Sequence, residues 1–247
     1  MDPPERLVLR EGEVHVWRAG LQLPEDCLAE LARTLSPEEW DRSQGLGRPE
    51  LRCRFIASRG MLRSLLGQYL GELPERIRFS YGDRGKPSLA DSPVNLQFNL
   101  SHSQDLVLYA FAYQIRVGVD GEHRRLIRAL ARLARRFFSD REYGAIAALP
   151  PDQQTDRFLQ VWACREAYLK AIGEGLVGLG NMEIRGLEQG TPVVWLWREA
   201  EWQPANQWRL HLLQPDPGYV AALAIENGDQ YQLACWSFPN WPGQAME

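Results

Sequence analysis

The apolar residues of this chain switch between two periods, and they do so twice in the same order. A short alternating stretch at Val14-His15-Val16-Trp17 precedes a helical pattern, and further alternating stretches follow near Ile77 to Tyr81, Val94 to Leu100 and Leu106 to Tyr113. From about Arg116 the order recurs: a strand, helical segments, then strands near Met182 to Ile184, Val193 to Trp197, Trp208 to Leu213, Tyr219 to Ile225 and Tyr231 to Trp236. A period of two sends side chains to opposite faces of a strand, whereas 3.6 gathers them on one stripe of a helix. The pattern predicts an α+β fold of two similar halves, residues 1–115 and 116–247. At 247 residues the chain has room for two cores.

Local signals place the helices. Ser36-Pro37-Glu38-Glu39 supplies an N-cap, a first-turn proline and acids at the positive end of the dipole. Gly45, Gly47 and Pro49 interrupt that helix. An amphipathic one follows from about Leu51 to Leu70, with Phe55, Met61, Leu62, Leu65, Leu66 and Tyr69 as its core face. Ser139-Asp140-Arg141-Glu142 reads as a capping box. A long helix is expected from about Thr155 to Ile172, stopped by Gly173. Val94, Leu96, Phe98 and Leu100 alternate with Asn95, Gln97 and Asn99, which predicts a strand with one face buried. Asn227-Gly228 reads as a hairpin turn between the last two strands. Arg59–Gly67 and Arg165–Gly173 show a weak internal similarity, with arginine and glycine at both ends.

Composition narrows the function. Hydrophobic residues at 45% and charged residues at 24% belong to an ordinary globular protein, and the net charge of -4 argues against nucleic acid as partner. No apolar run reaches the roughly 18 residues of a membrane span, and the N-terminal residues lack the apolar region of a signal peptide. Cys27, Cys53, Cys164 and Cys235 are scattered, without zinc spacing, which predicts reduced thiols in a cytoplasmic protein.

The residue types that carry chemistry lie in the second half. In Gly118-Val119-Asp120-Gly121-Glu122 two carboxylates stand at i and i+2 and leave the same strand face, opposite Val117 and Val119. Gly118 and Gly121 would let backbone or phosphate come close. In Trp162-Ala163-Cys164-Arg165-Glu166-Ala167-Tyr168-Leu169-Lys170, Glu166 and Lys170 are one helical turn apart, Glu166 on the flank of the apolar stripe Phe158, Trp162, Leu169 and Ile172. Three carboxylates and a lysine brought together would form a hard-cation site for a phosphate-bearing substrate. A nuclease-like phosphodiester enzyme could use the same acids, and a non-catalytic binding module could carry them without using them.

The run G-x-D-x-E followed by W-x-x-[KR]-E-A-x-x-K resembles the signature of 4'-phosphopantetheinyl transferases of the surfactin-synthetase-activating type. Gly85-Lys86-Pro87, Phe98-Asn99-Leu100-Ser101-His102-Ser103 and Arg136-Phe137-Phe138-Ser139 ahead of Glu142-Tyr143 lie where that family has matching pieces. The resemblance implies a pseudo-twofold pair of α+β halves in a monomer, with the site between them. It implies Mg²⁺ bound by Asp120, Glu122 and Glu166, Asp120, Glu166 and Lys170 as the catalytic group, and a coenzyme A grip from Lys86, Ser101, His102 and Arg59. An apo carrier protein would be the acceptor, its serine activated by Glu166. Whether Glu166 is chiefly base or ligand stays open. Arg165 departs from the family's usual lysine. Six arginines, Arg124, Arg125, Arg128, Arg132, Arg135 and Arg136, lie without an acid on a segment with an apolar face, and suit either a solvated helix or an acidic carrier protein.

Overall fold

The computed structural model describes residues 7–90, 94–227 and 231–238. The first half runs β1 (Glu13–Gly20), α1 (Glu25–Arg33), α2 (Pro37–Gln44), α3 (Pro49–Leu70), β2 (Phe79–Tyr81), β3 (Pro87–Leu89), β4 (Leu96–Ser103) and β5 (Leu106–Tyr113). The second runs β6 (Val117–His123), α4 (Leu130–Phe137), α5 (Asp140–Ala147), α6 (Pro151–Ile172), β7 (Met182–Arg185), β8 (Val193–Arg198), β9 (Glu201–Pro204), β10 (Trp208–Leu213) and β11 (Tyr219–Glu226), and β12 (Gln232–Ser237) follows. Among the described residues, no helix is long and apolar enough to cross a membrane.

The repeated order is visible in the sheets. In the first half β5 pairs antiparallel with both β1 and β4, and in the second β11 pairs antiparallel with both β6 and β10. Each half carries a 22-residue helix, α3 or α6, that starts at proline and ends on a left-handed glycine, Gly71 (φ 68°) or Gly173 (φ 78°). Aligning the two helix starts puts Arg63, not Arg59, opposite Arg165. The similarity read in the sequence was therefore out of register by one helical turn.

Two sheets stack between the two long helices. β5 alternates Val107, Tyr109 and Phe111 toward α3 with Leu108, Ala110 and Ala112 toward the other sheet. β11 alternates Val220, Ala222 and Ala224 toward α6 with Ala221, Leu223 and Ile225 toward the first sheet. Strands covered on both faces read as nearly continuous apolar runs, as these do. Gly118 on β6 sets the helix spacing: a Cβ there would stand 2.1 Å from the Ala167 carbonyl oxygen and 2.5 Å from the Ala171 nitrogen. The missing side chain admits the backbone of α6.

Several expectations change. β12 does not form a hairpin with β11. It pairs in parallel with β1, with Val16 opposite Cys235 and Trp17 opposite Trp236. β11 and β12 thus belong to different sheets, and a cut between residues 115 and 116 leaves the last strand on the first half's sheet. Gly228 and the tail from Pro239 lie outside the described residues. The helix carrying Glu166 starts at Pro151, not near Thr155. The arginine-rich segment is helical only from Leu130. The polar face of β4 is also not solvated: Asn99 and Ser101 are buried, turned toward β6.

Candidate active site

β6 and α6 bring the acids together. Asp120 is buried, at 4% exposure, whereas Glu122, Glu166 and Lys170 are half-buried. The Lys170 ammonium donates to Asp120 Oδ1 at 2.6 Å and to Ser101 Oγ at 2.9 Å. The Ser101 hydroxyl donates to Asp120 Oδ1 at 2.9 Å, and its oxygen accepts from the Gly121 amide at 3.3 Å. Ser101 and His102 lie inside β4 rather than past its end. Arg125 is 3.4 Å from Glu122 and is its ion-pair partner.

The three carboxylates feel one another. Burial, then the charge of Asp120, raises the pKa of Glu166, with Lys170 opposing and Glu122 adding. Burial and Asp120 likewise raise Glu122, against Arg125 and Lys170. Asp120 Oδ2 and Glu166 Oε1 are buried without a hydrogen-bond partner. Buried acceptors left unpaired beside like charges favour a bound cation. Among the described residues no three His, Cys, Asp or Glu side chains form a ready-made metal cage. Mg²⁺ does not require one, since it is commonly held by one or two carboxylates with water and substrate phosphates. The all-oxygen donor set and the two orphaned oxygens fit that ion.

The four residues assigned to coenzyme A lie on two elements and a turn: Arg59 on α3, Lys86 just before β3, and Ser101 and His102 on β4. Lys86 donates to the Ala171 carbonyl at 2.6 Å, and burial, then Arg116, lowers its pKa to about 8. Ser101 is engaged with Asp120. His102 keeps an exposed edge, and the protein around its ring lowers its pKa, with Lys170 adding to the effect. Arg59 is buried, 3.4 Å from Glu39, and its Nη1 has no partner. It lines a cavity of about 660 Å³ with Arg42, Arg78, Phe55, Phe79 and Tyr81. Phe55 thus serves as a cavity wall rather than as part of the core face.

Arg165 turns out to be structural. Its guanidinium donates to buried Glu142 and to the carbonyls of Leu179 and Met182, the last at 2.8 Å. Glu142 also closes the capping box of α5 with Ser139 and accepts from the Ile184 amide at 2.8 Å. The first half holds the same device. Ser36 and Glu39 cap α2, and Arg63 donates to Glu39 at 2.6 Å and to the carbonyls of Pro74 and Ile77. Pairing each S-x-x-E box with the arginine of the following long helix would have revealed both clamps in the sequence. Asn99 and Ser103, which accept from the amides of Val119 and His123, were also missed.

Comparison with known proteins settles the family. The sequence profile of the 4'-phosphopantetheinyl transferase superfamily matches residues 116–224, which include β6 and α6. The chain is 44% identical to the 4'-phosphopantetheinyl transferase HetI of Nostoc sp. over 95% of its own length and 96% of that protein's. This chain is a 4'-phosphopantetheinyl transferase superfamily member. It is also 32% identical to the 4'-phosphopantetheinyl transferase Sfp of Bacillus subtilis, over 80% of this chain and 90% of that one. With the L-aminoadipate-semialdehyde dehydrogenase-phosphopantetheinyl transferase of Rattus norvegicus it shares 30% identity over 98% of this chain and 85% of that one. Members of the family move the phosphopantetheine group from coenzyme A to carrier proteins, and this chain is a transferase of that kind.

Proposed function

We propose that the chain performs this transfer with Mg²⁺ held by Asp120, Glu122 and Glu166, the acceptor being a serine hydroxyl of an apo carrier protein. The observation that carries the reading is the pair of buried, unpartnered oxygens, Asp120 Oδ2 and Glu166 Oε1, beside the Lys170 ammonium. When bound, the cation supplies charge neutralisation for the diphosphate of coenzyme A. Glu166, its pKa raised by burial, takes the serine proton directly or through water. The serine oxygen bonds to the β-phosphorus as the bond from that phosphorus to the bridging oxygen breaks. Adenosine 3',5'-bisphosphate leaves with the bonding pair, and Lys170 stabilises the charge that collects on it.

The nucleotide part of coenzyme A suits the cavity beside Arg59 and Arg42, where aromatic walls can stack a base and the unpaired guanidinium nitrogen can meet a phosphate. In this reading His102, Lys86 and Ser101 supply the remaining contacts to coenzyme A, as the family resemblance implies. The carrier protein suits a groove in the second half. This groove of about 460 Å³ runs from Glu122 past Ile127, Phe137 and Trp162, and Arg125 and Arg128 rim it. Leu126 beside it is 85% exposed. One chain supplies every residue in this account, so a monomer suffices.

The test is to mix the purified protein with Mg²⁺, coenzyme A labelled in its pantetheine arm and an apo carrier protein. Label on the carrier, release of adenosine 3',5'-bisphosphate and no label on a serine-to-alanine carrier are expected. Binding of coenzyme A without transfer would replace this reading with a binding module. Cleavage of nucleic acid would replace it with a nuclease.

A further inference from the structure

β6 is at the edge of its sheet: it pairs with β11 on one side, and the amides of Val119, Gly121 and His123 point away from that partner. Edge amides need acceptors, and a neighbouring strand's backbone usually provides them. Here β4 provides side chains instead. Asn99 Oδ1 accepts from Val119 at 2.9 Å, Ser101 Oγ from Gly121 at 3.3 Å and Ser103 Oγ from His123 at 3.0 Å. Each rung spans 20 residues, so the two strands run in parallel and in strict register. The acids fall between the rungs, Asp120 between the first and second and Glu122 between the second and third.

We infer that Asn99 and Ser103 are positioning residues, which pin the backbone on either side of Asp120 and Glu122 and so fix the carboxylates against β4. The inference rests on the reading of those two acids as holders of the cation. Ser101 cannot isolate the effect, because its hydroxyl also touches Asp120 and Lys170. The outer rungs make no contact with an acid and act through the β6 main chain. Asn99 is buried at 4% exposure, and no water can replace its oxygen cheaply. Ser103 is half-buried, so its loss leaves the fold standing. Between the second and third rungs sits His102, which ties the placement of the acids to the strand assigned to the coenzyme A grip.

The experiment compares Asn99→Ala, Ser103→Ala and Ser103→Thr with the parent protein and with Asp120→Ala. Amide exchange at Val119 should accelerate in Asn99→Ala and exchange at His123 in Ser103→Ala, each by about 10-fold. The Mn²⁺ concentration that half-saturates the protein in the presence of coenzyme A, read by electron paramagnetic resonance, should rise by about 10-fold, the scale of lost ligand support. Affinity for adenosine 3',5'-bisphosphate, which lacks the diphosphate, should change less than twofold. Ser103→Thr keeps the hydroxyl and should restore parental metal binding. Faster exchange with unchanged Mn²⁺ binding would overturn the inference and make the ladder a packing device alone. If Asn99→Ala fails to fold, Ser103→Ala decides the question by the same readings. Undiminished transfer and metal binding by Asp120→Ala would instead refute the assignment of the acids.

Discussion

Asp120 is buried with one oxygen in the grip of Lys170 and Ser101 and the other without a hydrogen-bond partner. Asp120→Asn keeps the shape and removes the charge. It should cut transfer by ~10²-fold or more, the scale on which a preorganised charged group acts. Stability should change by no more than about 1 kcal/mol, because the lost pairing with half-exposed Lys170 is offset by relief of repulsion with Glu122 and Glu166. Single-turnover transfer and urea denaturation together check both halves. His15 allows a pH test away from the site. It is buried against Tyr69 and Trp236, and burial, opposed by Glu13, lowers its pKa from 6.5 to about 4. A depressed histidine binds its proton more weakly when folded, so its share of stability is complete above about pH 6.5 and drains away as pH falls toward 4. That share amounts to at most ~3 kcal/mol. Denaturation of His15→Gln across that window should show a flatter acid limb than the parent.

α6 is the element that makes the site, and its placement depends on two contacts of different kinds. Against β6 it relies on an absence: Gly118→Ala puts a methyl into the helix backbone, which cannot yield as a side chain can. Loss of ~3 kcal/mol or more of stability is expected, together with loss of transfer, because Glu166 and Lys170 must move away from Asp120. Gly121→Ala meets Leu108 Cδ1 at 3.0 Å, the tip of a flexible side chain, and should cost about 1 kcal/mol or less. Paired denaturation curves separate the two glycines. At its other face α6 is clamped through Arg165. Arg165→Met strands Glu142 as an unpaired buried acid, and ~3–5 kcal/mol should be lost. Adding Glu142→Leu should recover part of it, since the pair is then removed together. No recovery in the double variant would mean that the bonds to Leu179 and Met182 carry the stabilisation.

At the scale of the molecule, the layers helix, sheet, sheet, helix place the acids at the seam where β4 meets β6, with the cationic cavity in the first half and the apolar groove in the second. With coenzyme A and the carrier protein placed as proposed, each can be perturbed separately. Arg128 and Arg132 are exposed, Arg128 at the groove's rim. Arg128→Glu with Arg132→Glu should raise the KM for an acidic carrier protein several-fold and leave that for coenzyme A unchanged. At physiological salt the Debye length is about 8 Å, so the reversal acts only on a partner that docks against it. The parent KM for the carrier should climb with added NaCl, and the variant should respond less. An unchanged carrier KM would show these arginines to be a solvated face.

Much of this protein follows from local chemistry alone. The strands Trp208–Leu213 and Tyr219–Glu226, the capping boxes at Ser36 and Ser139 and the stop at Gly173 depend on side-chain periodicity, hydrogen bonds a few residues long and backbone freedom. So does the i, i+4 spacing of Glu166 and Lys170. All of these act within one or two turns of chain, and a linear sequence displays them directly. What needed the tertiary structure acts between segments far apart. Asn227-Gly228 signals a hairpin locally, but β12 pairs in parallel with the edge of β1 instead of with β11. The polar face of β4 reads as solvated because asparagine and serine usually are. Only the edge of β6, 20 residues away in sequence, makes burial of those side chains favourable. The glycine at 118 offers room for a backbone or a phosphate, and only the packing of a helix some fifty residues later decides for the backbone. In each case the deciding free energy belongs to a partner whose position the chain's own neighbourhood does not specify.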